Sequence, residues 1–285
     1  MFGMEEKIAD AKKRSQTEYD NYCEEVNILI MHYEDTRDRY NAQLALINQE
    51  RLSLRDEMHN LYEFLLSIGG SLDRKLTVFD FKTESFAPNM NKKPVSSIPF
   101  PEFKDETFWN NSLITYGIHH QKNKENLAAF EQAIGNNALE YEKDLQKRTI
   151  ELQYLMDATN IAEIYRNIIV VVRDTISQKV IPEMEFIQAF LYADSIRERT
   201  AENSDYEDVE PCSIVEYKNT PQDIHYQFVK NAFDFYDISV KFFTNAILTN
   251  IIGDRIVSTD EKNAFNDTIK AIKANISSLE GKKVI

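Results

Sequence analysis

Glycine and proline are scarce, seven of each in 285 residues. That is about one residue in twenty, where average proteins have roughly one in eight. So few turn formers exclude a turn-rich β-sandwich, a collagen-like chain and a low-complexity chain, and they favour long helices. Cysteine is scarcer still. Cys23 and Cys212 stand far apart, too few for a disulfide framework or a zinc site, and read as two reduced thiols of a cytoplasmic protein. Bases are outnumbered, 33 Lys and Arg against 47 Asp and Glu, for a formal charge of −14. This balance argues against nucleic acid and against an anionic membrane as partners, because both need excess Lys and Arg on the contact face. The longest stretches free of charged residues, 107–121 and 242–253, fall short of the roughly 18 apolar residues that a bilayer demands. Acids and bases crowd the first residues, so no signal peptide is expected.

Motifs of cofactor chemistry are missing too. Phosphate loops and dinucleotide folds need closely spaced glycines so that the backbone can approach phosphate. Glycine stands at 3, 69, 70, 117, 135, 253 and 281, a distribution in which neither pattern can be written. The G-x-S-x-G nucleophile elbow is also absent.

What the chain has is periodicity. Residues 4–68 contain no Gly or Pro, and one column repeats every seven positions: Tyr19, Val26, Tyr33, Tyr40, Ile47, Leu54, Leu61 and Ile68. Four residues after each member stands Cys23, Ile30, Arg37, Leu44, Arg51, Met58 or Leu65. A stripe alternating four and three keeps one helical face against a partner helix, which is a coiled-coil seam. Gly69 and Gly70 then end the helix. A second heptad column runs through Leu127, Ile134, Tyr141, Arg148, Leu155, Ala162, Ile169 and Ile176. Gly135-Asn136-Asn137 predicts a kink or local break in it, and Pro182 a kink or restart. From Ile161 the pattern is apolar on nearly all sides, as in a helix surrounded by others.

Between these arms the composition changes. Pro88, Pro94, Pro99 and Pro101 fall within 71–105; residues 76–81 read as a short strand and 94–103 as extended chain. Phe79, Phe81, Phe86, Phe100, Phe103, Phe108 and Trp109 are too many rings for a solvated loop, so they are expected to pack as a cap on one end of the hairpin. Residues 201–213 hold five acids and read as a mobile linker. Thr220, Pro221 and Asp223 then look like a helix start. The helix that follows should bury His225, Phe228, Val229, Ala232, Phe235, Tyr236, Phe242, Phe243 and Ala246 on one broad face, with Phe233 and Val240 outside it. Ser258 and Glu261 form a capping-box pattern that opens a last helix with Phe265, Thr268, Ile269, Ile272, Ile276 and Leu279 inward, which Gly281 stops.

The fold expected is all-α: a long antiparallel coiled-coil-like helical hairpin, an aromatic, partly extended cap, and a C-terminal helical pair. Its parts are the N-terminal helix 1–70, the cap 71–121, the second arm 122–200, the acidic linker 201–219 and the pair 220–285.

Candidate chemistry is thin. A di-iron bundle needs acid-x-x-His on two helices, and the spacing occurs once, at Asp56 and His59. His119 and His120, near Trp109 and Tyr116, are the most site-like cluster, but adjacent histidines cannot share one helical face. His225 beside Asp223 reads as part of a helix cap. The acid pairs Glu24-Glu25 and Asp56-Glu57 read as a solvated outer face. Cys23 lies on the seam, and Cys212 lies among acids that would raise its pKa, which makes both poor nucleophiles. No catalytic residue, cofactor or metal is therefore expected. The function expected is a non-enzymatic interaction or assembly protein that binds a protein partner or itself through the eight-member seam. Phe79, Phe81, Phe100, Phe103 and Trp109 would serve as a second docking point, and a homo-oligomer is anticipated. The alternative is a membrane-active helical protein that inserts its cap or its aromatic C-terminal helix, against which the acids Asp223, Asp234, Asp237 and Asp254 flanking that helix argue.

Overall fold

In the computed structural model of the chain, which describes residues 2–69, 72, 74–79, 98–103, 113–201, 210–244 and 258–280, all regular structure is helical and no strand occurs among those residues. The elements are α1 (Phe2–Gly69), α2 (Leu113–Thr175), a π turn (Ile176–Val180), α3 (Ile181–Ala201), a 3₁₀ turn (Ile214–Tyr217), α4 (Asp223–Thr244) and α5 (Thr259–Glu280). Packing divides the chain into two units, Met1–Arg39 with Asn89–Asp157, and Tyr40–Pro88 with Ala158–Ile285. Both long helices contribute to each unit.

In the first unit α1 and α2 pack side by side, and the partners reveal their direction. Ala11 shares a core with Leu127 and Phe130. The Arg14 guanidinium reaches the Glu131 carboxylate at 3.4 Å. Tyr22 lies stacked on Tyr141, ring centroids 4.3 Å apart, and its hydroxyl donates to Asp144 Oδ2 at 2.8 Å. Partner numbers rise together, with separations of 117 and 122 residues. An antiparallel pair would hold the sum of the two numbers constant instead. The expected antiparallel hairpin is therefore corrected: the two helices run parallel. The same sense appears in the second unit, where Arg173 on α2 pairs with Glu50 on α1, 123 residues earlier.

The physical reason lies in the connection. A short loop forces antiparallel neighbours, but the segment 70–112 is about 43 residues long and can extend ~140 Å, more than the ~100 Å length of α1. A connection that long can return to the start of α1. Its described pieces fit that role, because 74–79 pack in the second unit and 98–103 in the first. There the Ile98 N–H donates to the Tyr22 hydroxyl at 3.2 Å, Phe100 meets Tyr19 edge-on at 5.2 Å, and Phe103 meets Phe130 at 5.2 Å.

Local expectations fare unevenly. α2 passes through Gly135-Asn136-Asn137 as a helix, so the break expected there does not form. One glycine costs a helix only about 1 kcal/mol relative to alanine, and the packed side chains of Leu127, Phe130 and Tyr141 offset it. Pro182 marks the expected restart: α3 opens at Ile181, directly after a π turn. Its ring would crowd the carbonyl four residues back and it offers no N–H. The π turn just before it widens the backbone, with the Ile181 N–H donating to the Ile176 carbonyl five residues earlier. The strand expected at 76–81 is absent over 76–79: no second strand pairs with it, and the Thr77 carbonyl instead accepts the Tyr236 hydroxyl at 2.9 Å. The second half of the acidic linker is docked rather than loose. Ile214 and Tyr217 are buried, and the Tyr217 hydroxyl donates to Asp194.

α4 is the centre of the second unit. Thr220 Oγ1 accepts the Gln222 N–H at 3.1 Å, and Asp223 Oδ1 accepts the Asn219 N–H at 2.9 Å, which fixes its start. Phe233 and Val240, expected outside the apolar face, are buried with the rest. The helix has several neighbours: Arg74 bonds Asp234, Phe79 meets Phe243, Tyr165 of α2 meets Phe242, and Phe265 of α5 meets Phe242. Each large apolar side chain so enclosed contributes roughly 1.5–3 kcal/mol. Ala246 lies outside the described residues. α5 opens with the expected reciprocal box: the Glu261 N–H donates to Ser258 Oγ at 3.2 Å and the Ser258 N–H to Glu261 Oε2 at 3.0 Å.

Candidate interaction surface

The eight-member column lies inside the chain's own packing. Val26, Tyr40, Ile47, Leu54, Leu61 and Ile68 are buried, while Tyr19 and Tyr33 are half-buried. Val26 packs with Tyr22 and Tyr141, so in this region α2 covers the seam. The six buried members leave a second molecule nothing to cover. The cap aromatics do not gather in one place: Phe79 belongs to the second unit, Phe100 and Phe103 to the first. Phe81 and Trp109 lie outside the described residues.

The titratable candidates separate as well. Asp56 and His59 are exposed on α1, with Asp56 taken by Arg55 at 3.3 Å. Glu24 and Glu25 are exposed, consistent with a solvated face. His120 is exposed on α2, and the side chain of His119 lies outside what the structure describes.

One cluster has ligand-like geometry. Asp194, Glu198 and Cys212 bring one donor atom each within 4.8 Å of one another. The Cys212 thiol donates to Glu198 Oε2 at 3.7 Å, and burial, with the acids Glu198, Glu216 and Asp194 nearby, pushes it above the usual thiol range. Asp194 is balanced by Arg197 and by the Tyr217 hydroxyl. A soft cation would need the thiolate that these acids disfavour, and a hard one would have to displace Arg197. The arrangement suits a docking clasp for the 3₁₀ turn on α3 better than a metal centre.

His225 lies in the first turn of α4 and on its buried face, as expected, and its side chain takes no part in the cap bonds. It is buried, with its ring against Phe190 at 4.8 Å and Phe186 at 5.9 Å, and Nδ1 has no hydrogen-bond partner. Burial among rings pulls its pKa below the usual 6.5, which keeps the imidazole neutral. Its spacing to Phe228 and Val229 placed it on the apolar face, and that signal outweighs the neighbouring Asp223.

The surface that stands out was expected to be covered. Ile164 and Val171 on α2 are each 42% exposed, Phe186 on α3 is 51% exposed and Tyr192 50%. Pro182, Ala189 and Ala193 are exposed between and beyond them. Through the π turn these positions follow one another at helical spacing and make an apolar stripe on the outside of the second unit. Bordering it are the exposed amides Asn160, Asn167, Gln178 and Gln188, together with the exposed charges Lys179 and Glu185. Sequence periodicity marked this stretch as apolar on all sides, but it carried no sign that one side stays uncovered. Apolar surface of this kind, rimmed by polar groups, is the usual mark of a contact surface.

No family model, no curated protein and no solved structure matches this chain. Among the described residues no helix is long and apolar enough to cross a membrane.

Proposed function

We propose that the chain is a non-enzymatic interaction or assembly protein that holds a protein partner against the outer apolar stripe of α2 and α3, in the cytoplasm, where its two free thiols stay reduced. The observation that carries this reading is the stripe itself: rings and branched side chains left in water in a chain that buries every phenylalanine of α4. The heptad seam proposed from sequence supplies rigidity in this account, since α1 and α2 use it to brace each other. Membrane insertion would instead require the α4 rings to leave a packed interior, at roughly 1.5–3 kcal/mol for each one exposed.

A pull-down from the native host, comparing the protein with its Ala189→Glu variant, tests the reading. Ala189 is exposed on a helix, so the variant should keep the fold, as circular dichroism would verify. Proteins captured by the parent and lost by the variant support the stripe; identical captures by both would defeat it. Liposome flotation provides the contrast, because co-flotation with vesicles would favour insertion.

A further inference from the structure

On the reading that the stripe holds protein, we propose that its occupant is a second copy of this chain, crossing antiparallel so that Phe186 of each copy lies against the partner's Val171. The spacing of four of its members points to this, while Pro182, Ala189 and Tyr192 have no exposed counterpart across the axis that relates those four. Ile164 and Val171 lie seven residues apart, Phe186 and Ala193 also lie seven apart, and fifteen separate the inner two. A two-fold contact places residue i on j and j on i, so it requires a pattern that reads the same in both directions. With the axis at the π turn, between Gln178 and Lys179, Phe186 meets the partner's Val171 just as Ala193 meets the partner's Ile164. Sizes match in each layer, a ring against a β-branched residue and an isoleucine against an alanine.

Charge points the same way. The chain carries −14 overall, and two copies repel wherever acids are dense. The outer face of α1, with Glu24 and Glu25, is such a region and would attract a basic partner. The stripe is bordered by four exposed amides and only two exposed charges, Lys179 and Glu185. Asp174 beside it is taken by Arg173 at 2.8 Å, and Glu185 and Lys179, of opposite sign, contribute little net charge. An acidic chain can approach an identical acidic chain at a face with this composition.

Sedimentation equilibrium on the full chain tests the pairing. The parent should dimerise, and Val171→Glu or Ala189→Glu should weaken the dimer by at least about tenfold while leaving the circular dichroism spectrum unchanged. Raising salt from ~0.05 M to ~0.5 M should tighten the dimer by about threefold or more, since it screens the mutual repulsion. Contact with a basic partner would weaken instead. Orientation is read by disulfide trapping in a Cys23→Ser, Cys212→Ser background. A mixture of Val171→Cys and Phe186→Cys chains should form the mixed dimer in preference to either same-position dimer. Same-position dimers would overturn the antiparallel arrangement. A parent that stays monomeric at ~100 µM would overturn self-pairing altogether. If Ala189→Glu then still loses captured proteins in the pull-down, the holding role survives without it; if it loses none, both ideas fall together.

Discussion

The parallel direction of α1 and α2 can be tested at a single layer. Tyr22 is buried with its ring stacked on Tyr141, and its hydroxyl both donates to Asp144 at 2.8 Å and accepts the Ile98 N–H at 3.2 Å. Tyr22→Phe keeps the ring and its stacking, so only the hydroxyl is removed. A hydrogen bond to a charged acceptor contributes roughly 1.5–3 kcal/mol. Asp144 retains Arg148 at 2.6 Å and is not orphaned, which places the loss near the lower end, about 1.5–2 kcal/mol. Asp144→Asn removes the charge that both Tyr22 and Arg148 use, and should cost ~1–3 kcal/mol. The double variant should then lose less than the sum, with a coupling of about 1–2 kcal/mol, as for other residues in direct contact. A chain with two packing units need not unfold in one step. Native-state hydrogen exchange at amides of residues 8–30 is therefore the suitable readout, because it reports the local free energy of opening. Additivity of the two single effects within about 0.5 kcal/mol would refute the pairing. An antiparallel hairpin predicts that additivity, since it would set Tyr22 and Asp144 about 24 Å apart along the helix axis.

Two further changes probe other parts of the fold. Gly135→Ala should stabilise the protein by ~0.5–1 kcal/mol, because Gly135 is inside α2 and an added methyl would meet nothing within 4 Å; a lower denaturation midpoint for the alanine form would contradict this. Acid should weaken the docking of α4 on α3 through His225, whose neutral form the folded state favours. Its contribution is present above the usual pKa of 6.5 and is lost as pH falls below it, when the unfolded chain takes up a proton that the buried ring resists. At pH 5.5 this loss has a ceiling of about 1.4 kcal/mol. His225→Leu should flatten that part of the pH profile in chemical denaturation, leaving the slope due to carboxylates, and equal pH dependence of both proteins would count against it.

Features governed by neighbouring residues were legible in the sequence. The reciprocal bonds of Ser258 and Glu261 and the start of α4 at Thr220 and Asp223 depend on side chains within a turn of the backbone groups they satisfy. The burial of Tyr40, Ile47, Leu54 and Leu61 was legible for a similar reason, because a seven-residue period fixes which face of a helix is apolar. Fates that depend on distant chain were less so. Phe233 and Val240 are buried because the Arg74 segment and α2 enclose α4 from sides its own pattern left open. Ile164 and Val171 stay exposed because no described element covers them. Nothing in the residues around any of these positions encodes the difference.

The amino-acid sequence thus determined that the chain is helical, where the long helices lie and which stripe each one buries, since propensity, capping and period are properties of short range. Tertiary structure decided the direction in which α1 and α2 pair, the division of the aromatic segment between two units, and the outer stripe that remains in water. A heptad column is equally satisfied by a parallel or an antiparallel neighbour, within the chain or beyond it. Only contacts such as those of Tyr22 with Asp144 and Glu50 with Arg173, more than a hundred residues apart, resolve that degeneracy.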